Sequence, residues 1–184
     1  ELGQPLHAFD ASKINQKIVV KTFSKDTSFT TLDGIERKLS EQDLMIADAT
    51  QPHCIAGVFG GKDSGIDEET TTVFLESAYF HPVSIRKTAK FHGLNTDASF
   101  RFERGIDPEI GIMALKRAAI LIKQLAGGEV SSEIQEFTKP LGEAVQIFLS
   151  FEKIEKTIGQ PLEKEELNNI LNGLDISIVN VSES

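Results

Sequence analysis

The chain changes hydrophobic period once, and that change limits what it can fold into. Up to Phe80 its apolar residues come in short β-branched runs broken by turn residues; beyond Pro82 they recur at helical spacing. Ile18 to Phe23 has the β-branched density of a strand. Phe29 to Leu32 and Ile35 to Leu39 flank Asp33 and Gly34. An Asp-Gly pair between two such runs predicts a hairpin, with both turn positions at positive φ. Asp43 to Ala47 and His53 to Phe59 read as short strands around a turn at Pro52, and Gly60 to Thr70 as a loop. Thr71 to Phe80 is the clearest strand. Gln4 to Asp10 has no clear period and reads as loop.

The second half is helical. Pro82 suits the first position of a helix that Gly93 would stop. Asp107 and Pro108 repeat the signal, and that helix should run to Gly127 and Gly128. Its polar residues Glu109, Lys116, Arg117, Lys123 and Gln124 fall on one stripe, which predicts a mostly buried helix. Glu129 to Phe137 reads as a returning strand and Lys139 to Gly142 as a linker. Beyond lie a strand (Ala144 to Leu149), a helix capped by Ser150, a helix from about Glu163 to Asn172 and a strand at Ile176 to Val179. A tail of about forty residues is too small to bury a stable core alone.

Composition narrows the function. The chain has 184 residues, 40% of them hydrophobic, as an ordinary packed core requires. Its apolar stretches, such as Ala118 to Ile122, fall far short of the ~20 residues of a membrane helix. Glu1 to Gln4 lacks the pattern of a secretion signal. One cysteine, Cys54, cannot close an internal disulfide, and the four histidines show no zinc-ligand spacing. These features predict a globular cytoplasmic chain with no metal site and no membrane partner. A net charge of −9 argues against general nucleic-acid binding. The balance is local, however: Arg86, Lys87, Lys90, Arg101 and Arg104 outnumber the acids between His81 and Pro108, whereas eight acids face three lysines from Leu141 onward.

Four groups of residues invite a chemical reading. In a strand, Phe74, Glu76, Ala78 and Phe80 share one face. A carboxylate there is costly to bury unless something donates hydrogen bonds to it; alternatively the face meets solvent, or Arg86 or another cation pairs with Glu76. His7 could serve as a general base near neutral pH, or be merely solvated. Gly57, Gly60 and Gly61 permit close approach of a ligand or offer backbone N–H groups to an oxyanion, though hairpin geometry explains them as well. Thr96 to Gly105 is dense in polar and charged groups. Asp97, Ser99 and His7 invite a Ser-His-Asp reading, but nothing near Ser99 resembles a nucleophile elbow. Arg101, Glu103 and Arg104 suit a structural ion-pair network better than an active centre.

Taken in order, Glu1 to Asp10, the Leu32-Asp33-Gly34 turn, Gly57 to Gly61, Leu75 to Ala78, and Thr96 to Pro108 resemble the beta subunits of bacterial phenylalanine–tRNA ligases. The resemblance covers residues 1–139 as most of an editing domain lacking its first strands. Residues 140–184 resemble the first half of a winged-helix-like domain. It implies hydrolytic removal of tyrosine wrongly attached to phenylalanine tRNA, with the acylated 3′ end as substrate. It places the family's pocket histidine on His7 and its threonine on Thr96 as catalytic residues. The tyrosine-recognising glutamate falls on Glu76, and Ala98, Gly57 and Gly60 complete the substrate site. It further implies an alpha subunit as partner, an alpha2-beta2 parent enzyme, and ATP and magnesium used by that parent outside this segment, with no cofactor in the segment itself.

Departures from the family pattern accompany the resemblance. Phe59 stands where members often carry Met. A Thr-Asn pair of the pocket belongs ahead of Glu1, and the magnesium-coordinating carboxylates belong after Ser184. An excised fragment incapable of aminoacylation is therefore expected. The expected fold is α+β: a β-rich, barrel-like core with packed helices and a partial helical appendage. The alternatives are a non-catalytic interaction module and, third, a Ser-dependent hydrolase.

Overall fold

The computed structural model describes residues 1–138 and 145–179, which form two compact units, Glu1–Glu133 and Ile134–Ser184. The linker expected at Lys139 to Gly142 lies outside the described residues.

The first unit carries eight short strands: β1 (Leu6–Asp10), β2 (Val19–Lys21), β3 (Ser28–Thr30), β4 (Glu36–Lys38), β5 (Met45–Ala47), β6 (Pro52–Ile55), β7 (Phe59–Gly60) and β8 (Val73–Ser77). Three helices follow, α1 (Pro82–His92), α2 (Asp97–Phe102) and α3 (Gly111–Ala126). The strands build three antiparallel sheets: β2-β5-β6-β7, the pair β1-β8 and the pair β3-β4. A bridge from Thr31 to Gly61 connects the last pair to the end of β7. The class is mixed α+β, with no closed barrel among the described residues.

Strands this short do not persist on ladder hydrogen bonds alone; burial holds them. Phe9, Leu39, Met45 and Ile55 are almost fully enclosed, and each such side chain contributes about 1.5–3 kcal/mol on leaving water. β5 is buried along its whole length. Phe80, Ile85, Ala89 and Phe102 extend the same core into α1 and α2, which fastens the helices to the sheets. The buried carboxylates Asp10, Asp43 and Asp48 all have partners among the described residues. Asp43 accepts hydrogen bonds from Thr88 Oγ1 (3.0 Å) and the Ser40 N–H (2.7 Å), and lies 2.7 Å from His92 Nε2. Burial alone would raise the Asp48 carboxyl; the N–H groups of Thr50, Gln51 and Asn15 hold it well below the ordinary carboxylate range.

Several expectations need correction. Gln4 to Asp10 is not loop: its second half is β1, paired along its length with β8. Its alternation is hidden because both faces meet protein. His53 to Phe59 is not one strand but a hairpin, β6 and β7 around Ala56 to Val58. At the Asp33-Gly34 turn only Gly34 takes positive φ (77°). Asp33 instead braces the turn, Oδ1 accepting the Ile35 N–H at 3.1 Å while Oδ2 accepts from Arg37 at 2.8 Å. α3 begins at Gly111 rather than Pro108, because Asp107 Oδ1 accepts the Glu109 N–H and makes a local turn. Nor is α3 mostly buried. Only Ala114 is enclosed among the described residues, and Met113, Ile120 and Leu125 are exposed. Periodicity shows which side chains share a face, and only packing decides what covers it.

The second unit contains α4 (Phe151–Ile158) and α5 (Lys164–Gly173). Ser150 caps α4 as expected, its Oγ accepting the Lys153 N–H at 3.2 Å, and Gly159 ends it at φ 87°. The strands expected within Glu129 to Phe137, Ala144 to Leu149 and Ile176 to Val179 do not form among the described residues. A strand needs an edge to pair with, and no described segment offers one there. No helix among the described residues is long and apolar enough to cross a membrane.

Candidate functional site

Antiparallel pairing sets His7 directly opposite Glu76, which puts their Cβ atoms about 5 Å apart on one face of the β1-β8 pair. Two residues along that face, Phe9 and Phe74 pack at 6.0 Å between ring centroids, and the His7 ring lies 4.3 Å from that of Phe9. The aromatic floor holds both functional groups up toward a cleft.

That cleft has a volume of about 260 Å³. Its wall includes all six residues expected to form a site: His7, Glu76, Thr96, Ala98, Gly57 and Gly60. Four separate pieces of chain supply them: β1, β8, the β6–β7 hairpin and the start of α2. Residues not anticipated complete the lining, notably Cys54 and Phe102, beside Phe80, which strand alternation already puts on the face of Glu76. The apolar ones fell out of view because in the sequence they read only as core.

Glu76 is the electrostatic oddity. Its carboxylate receives no hydrogen bond or ion pair from any described residue, and burial pushes its pKa up to about 7. Arg86, the cation nearest in sequence, donates instead to the Glu103 carbonyl at 2.9 Å. Burial, then the charge of Glu76, raises the Cys54 thiol well above its ordinary value; Cys54 is therefore a neutral wall of the cleft. Burial acts oppositely on His7 and lowers its pKa, so near neutral pH the imidazole is uncharged and has a nitrogen able to accept a proton or hydrogen bond.

The glycines are there for space. Gly57 sits at φ 68°, where an added Cβ would fall 2.7 Å from Phe80 Cδ2 and 2.9 Å from Ile85 Cδ1. At Gly60 it would fall 2.7 Å from His7 Cε1 and 2.9 Å from Leu32 Cδ1. Any side chain at Gly60 would occupy the place of the histidine.

Thr96 is the N-cap of α2, a helix the sequence does not announce because it is only six residues long. Its Oγ1 donates to the Val58 carbonyl at 2.7 Å and accepts the Ser99 N–H at 3.1 Å. The hydroxyl thus ties α2 to the glycine hairpin across the cleft. Ser99 Oγ is buried and engaged with the Thr96 backbone, accepting its N–H and donating to its carbonyl, both at 3.0 Å. That geometry does not leave it as a nucleophile for a Ser-His-Asp triad. Asp97 and Ala98 lie on the first turn of α2 and line the wall. Of the ion-pair network expected near α2, only Arg104 with Glu103 (2.7 Å) forms among the described residues; Arg101 takes no part. Among the described residues no group of three or more metal-ligating side chains comes together.

Relatives of the chain carry a consistent name. The B3/4 domain family matches residues 1–127, from the start of the chain through the end of α3. The phenylalanine–tRNA ligase beta subunit of Bacteroides fragilis is 54% identical over 178 residues, covering 96% of this chain and 22% of that protein. Its counterpart in Porphyromonas gingivalis is 52% identical over 180 residues, covering 97% and 22%. That of Bdellovibrio bacteriovorus is 42% identical over 179 residues, again covering 97% and 22%. The chain therefore spans less than a quarter of the length of the curated relatives it matches. By these matches the chain belongs to the B3/4 domain family, as a segment of the kind found in the beta subunits of bacterial phenylalanine–tRNA ligases.

Proposed function

We propose that the cleft between β1, β8, the β6–β7 hairpin and α2 hydrolyses tyrosine esterified in error to phenylalanine tRNA. The observation that carries this reading is Glu76, a half-buried carboxyl with no described hydrogen-bond donor, lining the cleft opposite His7.

A synthesis pocket for phenylalanine is hydrophobic, and such a pocket rejects an analogue with one added hydroxyl only about a hundredfold. A second site can reverse the preference. A tyrosine phenol entering this cleft donates its O–H to Glu76, whereas a phenylalanine ring leaves the carboxylate unpaired and loses on the order of 1–3 kcal/mol. Phe80 and Phe102 supply apolar walls for the ring.

Hydrolysis adds water to the ester carbonyl, breaks the bond to the ribose oxygen, and returns a proton to that oxygen. His7, uncharged near neutral pH, orients the attacking water or the terminal ribose hydroxyl, and backbone N–H groups of the glycine hairpin face the developing oxyanion. Thr96 contributes by position, holding that hairpin against α2. Ala98 and Gly57 keep the wall low enough for the ring to enter. ATP and magnesium serve aminoacylation elsewhere in the larger cytoplasmic enzyme, an alpha2-beta2 assembly. α4 and α5 begin its next, winged-helix-like domain. A further role in bracing that assembly draws on the exposed apolar side chains of α3.

The test is a deacylation assay with tyrosyl- and phenylalanyl-tRNA, on this chain and on the intact two-subunit ligase that contains it. Glu76→Ala should abolish the preference for the tyrosyl ester. Unchanged tyrosyl-tRNA hydrolysis by that variant would refute the reading.

A further inference from the structure

A second cleft, of about 330 Å³, is lined by the C-terminal half of α2 and the segment after it. Leu2, Gly3, Ile106 and Ile110 give it apolar walls, and Phe100, Arg101 and Arg104 give it its chemistry beside Asp107, whose Oδ1 accepts the Glu109 N–H. Two independent pieces of chain run from one cleft to the other. Leu2 and Gly3 lead into Pro5 and Leu6 of the first, and Phe100 and Arg101 lie one turn beyond Asp97 and Ala98. With 1.5 Å of rise per residue, that offset of three residues along α2 is about 4.5 Å.

The side chains here are arranged as a stacking surface. Phe100 is half exposed, and the Arg104 guanidinium lies 3.5 Å above its ring centroid. Arg104 is held in that position by the Phe100 carbonyl at 2.9 Å and by Glu103 at 2.7 Å. Phe100 thus covers one face of the guanidinium, and the Arg104 side chain as a whole is about half exposed. Arg101, exposed beside it, makes no ion pair among the described residues. A held guanidinium plane takes an unstacked base, and a free arginine takes a phosphate. The local excess of cations between His81 and Pro108, in a chain of net charge −9, points the same way.

The geometry points to this second cleft as the binding site for the single-stranded nucleotides next to the esterified 3′ end, with a base stacked on Arg104 over Phe100 and a phosphate on Arg101. The inference rests on the proposed editing reading for the identity of its substrate. It accounts for how an acidic chain can hold a polyanion: only the last few nucleotides need a cationic surface.

Two experiments test it. In the intact ligase, Arg101→Gln and the double change Phe100→Ala with Arg104→Ala should each raise KM for tyrosyl-tRNA hydrolysis about tenfold with kcat little changed. Arg101→Gln should also lower the dependence of log KM on log salt by about one, and Arg101→Lys should restore part of the loss. Hydrolysis of a tyrosyl ester of adenosine alone, which lacks the upstream nucleotides, should be unaffected by all of them. A KM for tyrosyl-tRNA that stays at the parent value, or an equal loss on the adenosine ester, overturns the assignment.

Separately, fluorescence anisotropy with this chain and a labelled single-stranded RNA of the acceptor-end sequence should show binding that Arg101→Gln weakens and Glu76→Ala does not. Equal binding by Arg101→Gln overturns the assignment. If no variant or parent hydrolyses tyrosyl-tRNA while this RNA pattern holds, the editing reading fails and the nucleotide site stands.

Discussion

Glu76 carries two consequences through one proton. Burial raises its carboxyl from the ordinary 4.5 to about 7, so between those values the folded chain binds more protons than the unfolded one, and stability falls as pH rises through that window. Glu76→Gln removes the titrating group. Urea midpoints of variant and parent should differ by a constant amount below about pH 4.5. The variant should then gain on the parent up to about pH 7, with no further change above it. The same proton affects recognition. An ionised carboxylate accepts the stronger, charge-assisted hydrogen bond, so the preference for tyrosyl over phenylalanyl esters should sharpen as pH rises through 7. Deacylation rates for both esters between pH 6 and 8 measure this. His7 was legible as a candidate from its residue type, but its neutral state was not, since that comes from neighbours such as Gly60 and Leu32 that only folding brings close.

At the scale of elements, the cleft depends on the junction between α2 and the β6–β7 hairpin. Thr96 Oγ1 serves both as helix cap and as the tie to the Val58 carbonyl. Thr96→Ala should cost about 1–2 kcal/mol for the cap, read as a lower urea midpoint. Thr96→Ser keeps the hydroxyl and should restore most of it. Deacylation should fall in Thr96→Ala and recover in Thr96→Ser; if Thr96→Ala loses stability but keeps its full rate, the tie is structural alone. This junction also shows where sequence signals run out. Pro82 and Gly93 announce α1 because a helix start and stop are local, and Ser150 announces α4 for the same reason. α2 escapes notice because a capping box and one turn of helix look like any polar stretch. β1 escapes because its pairing with β8 spans more than sixty residues of chain, and no local pattern encodes a partner that far away.

For the whole molecule, every residue of the apolar core cluster lies within Glu1–Glu133, and α4 and α5 lie in the other unit. A polypeptide ending at Glu133 should therefore unfold in one cooperative transition with a melting temperature close to that of the full chain, which calorimetry can check. A fall of more than about 10 °C, several kcal/mol at this size, would mean that the second unit supplies stability the core does not reveal. The sequence by itself determined the α+β class, the start and stop of α1, the cap of α4, and the ordered motifs that mark the family, because each of these is set by residues within a few positions of one another. Only the tertiary structure decided that His7 stands opposite Glu76, that the carboxyl lacks a donor, that Thr96 spends its hydroxyl on Val58, and that α3 leaves its apolar side chains exposed. Those are properties of pairing, burial and long-range contact, and water is removed from a group by its neighbours in space rather than by its neighbours in the chain.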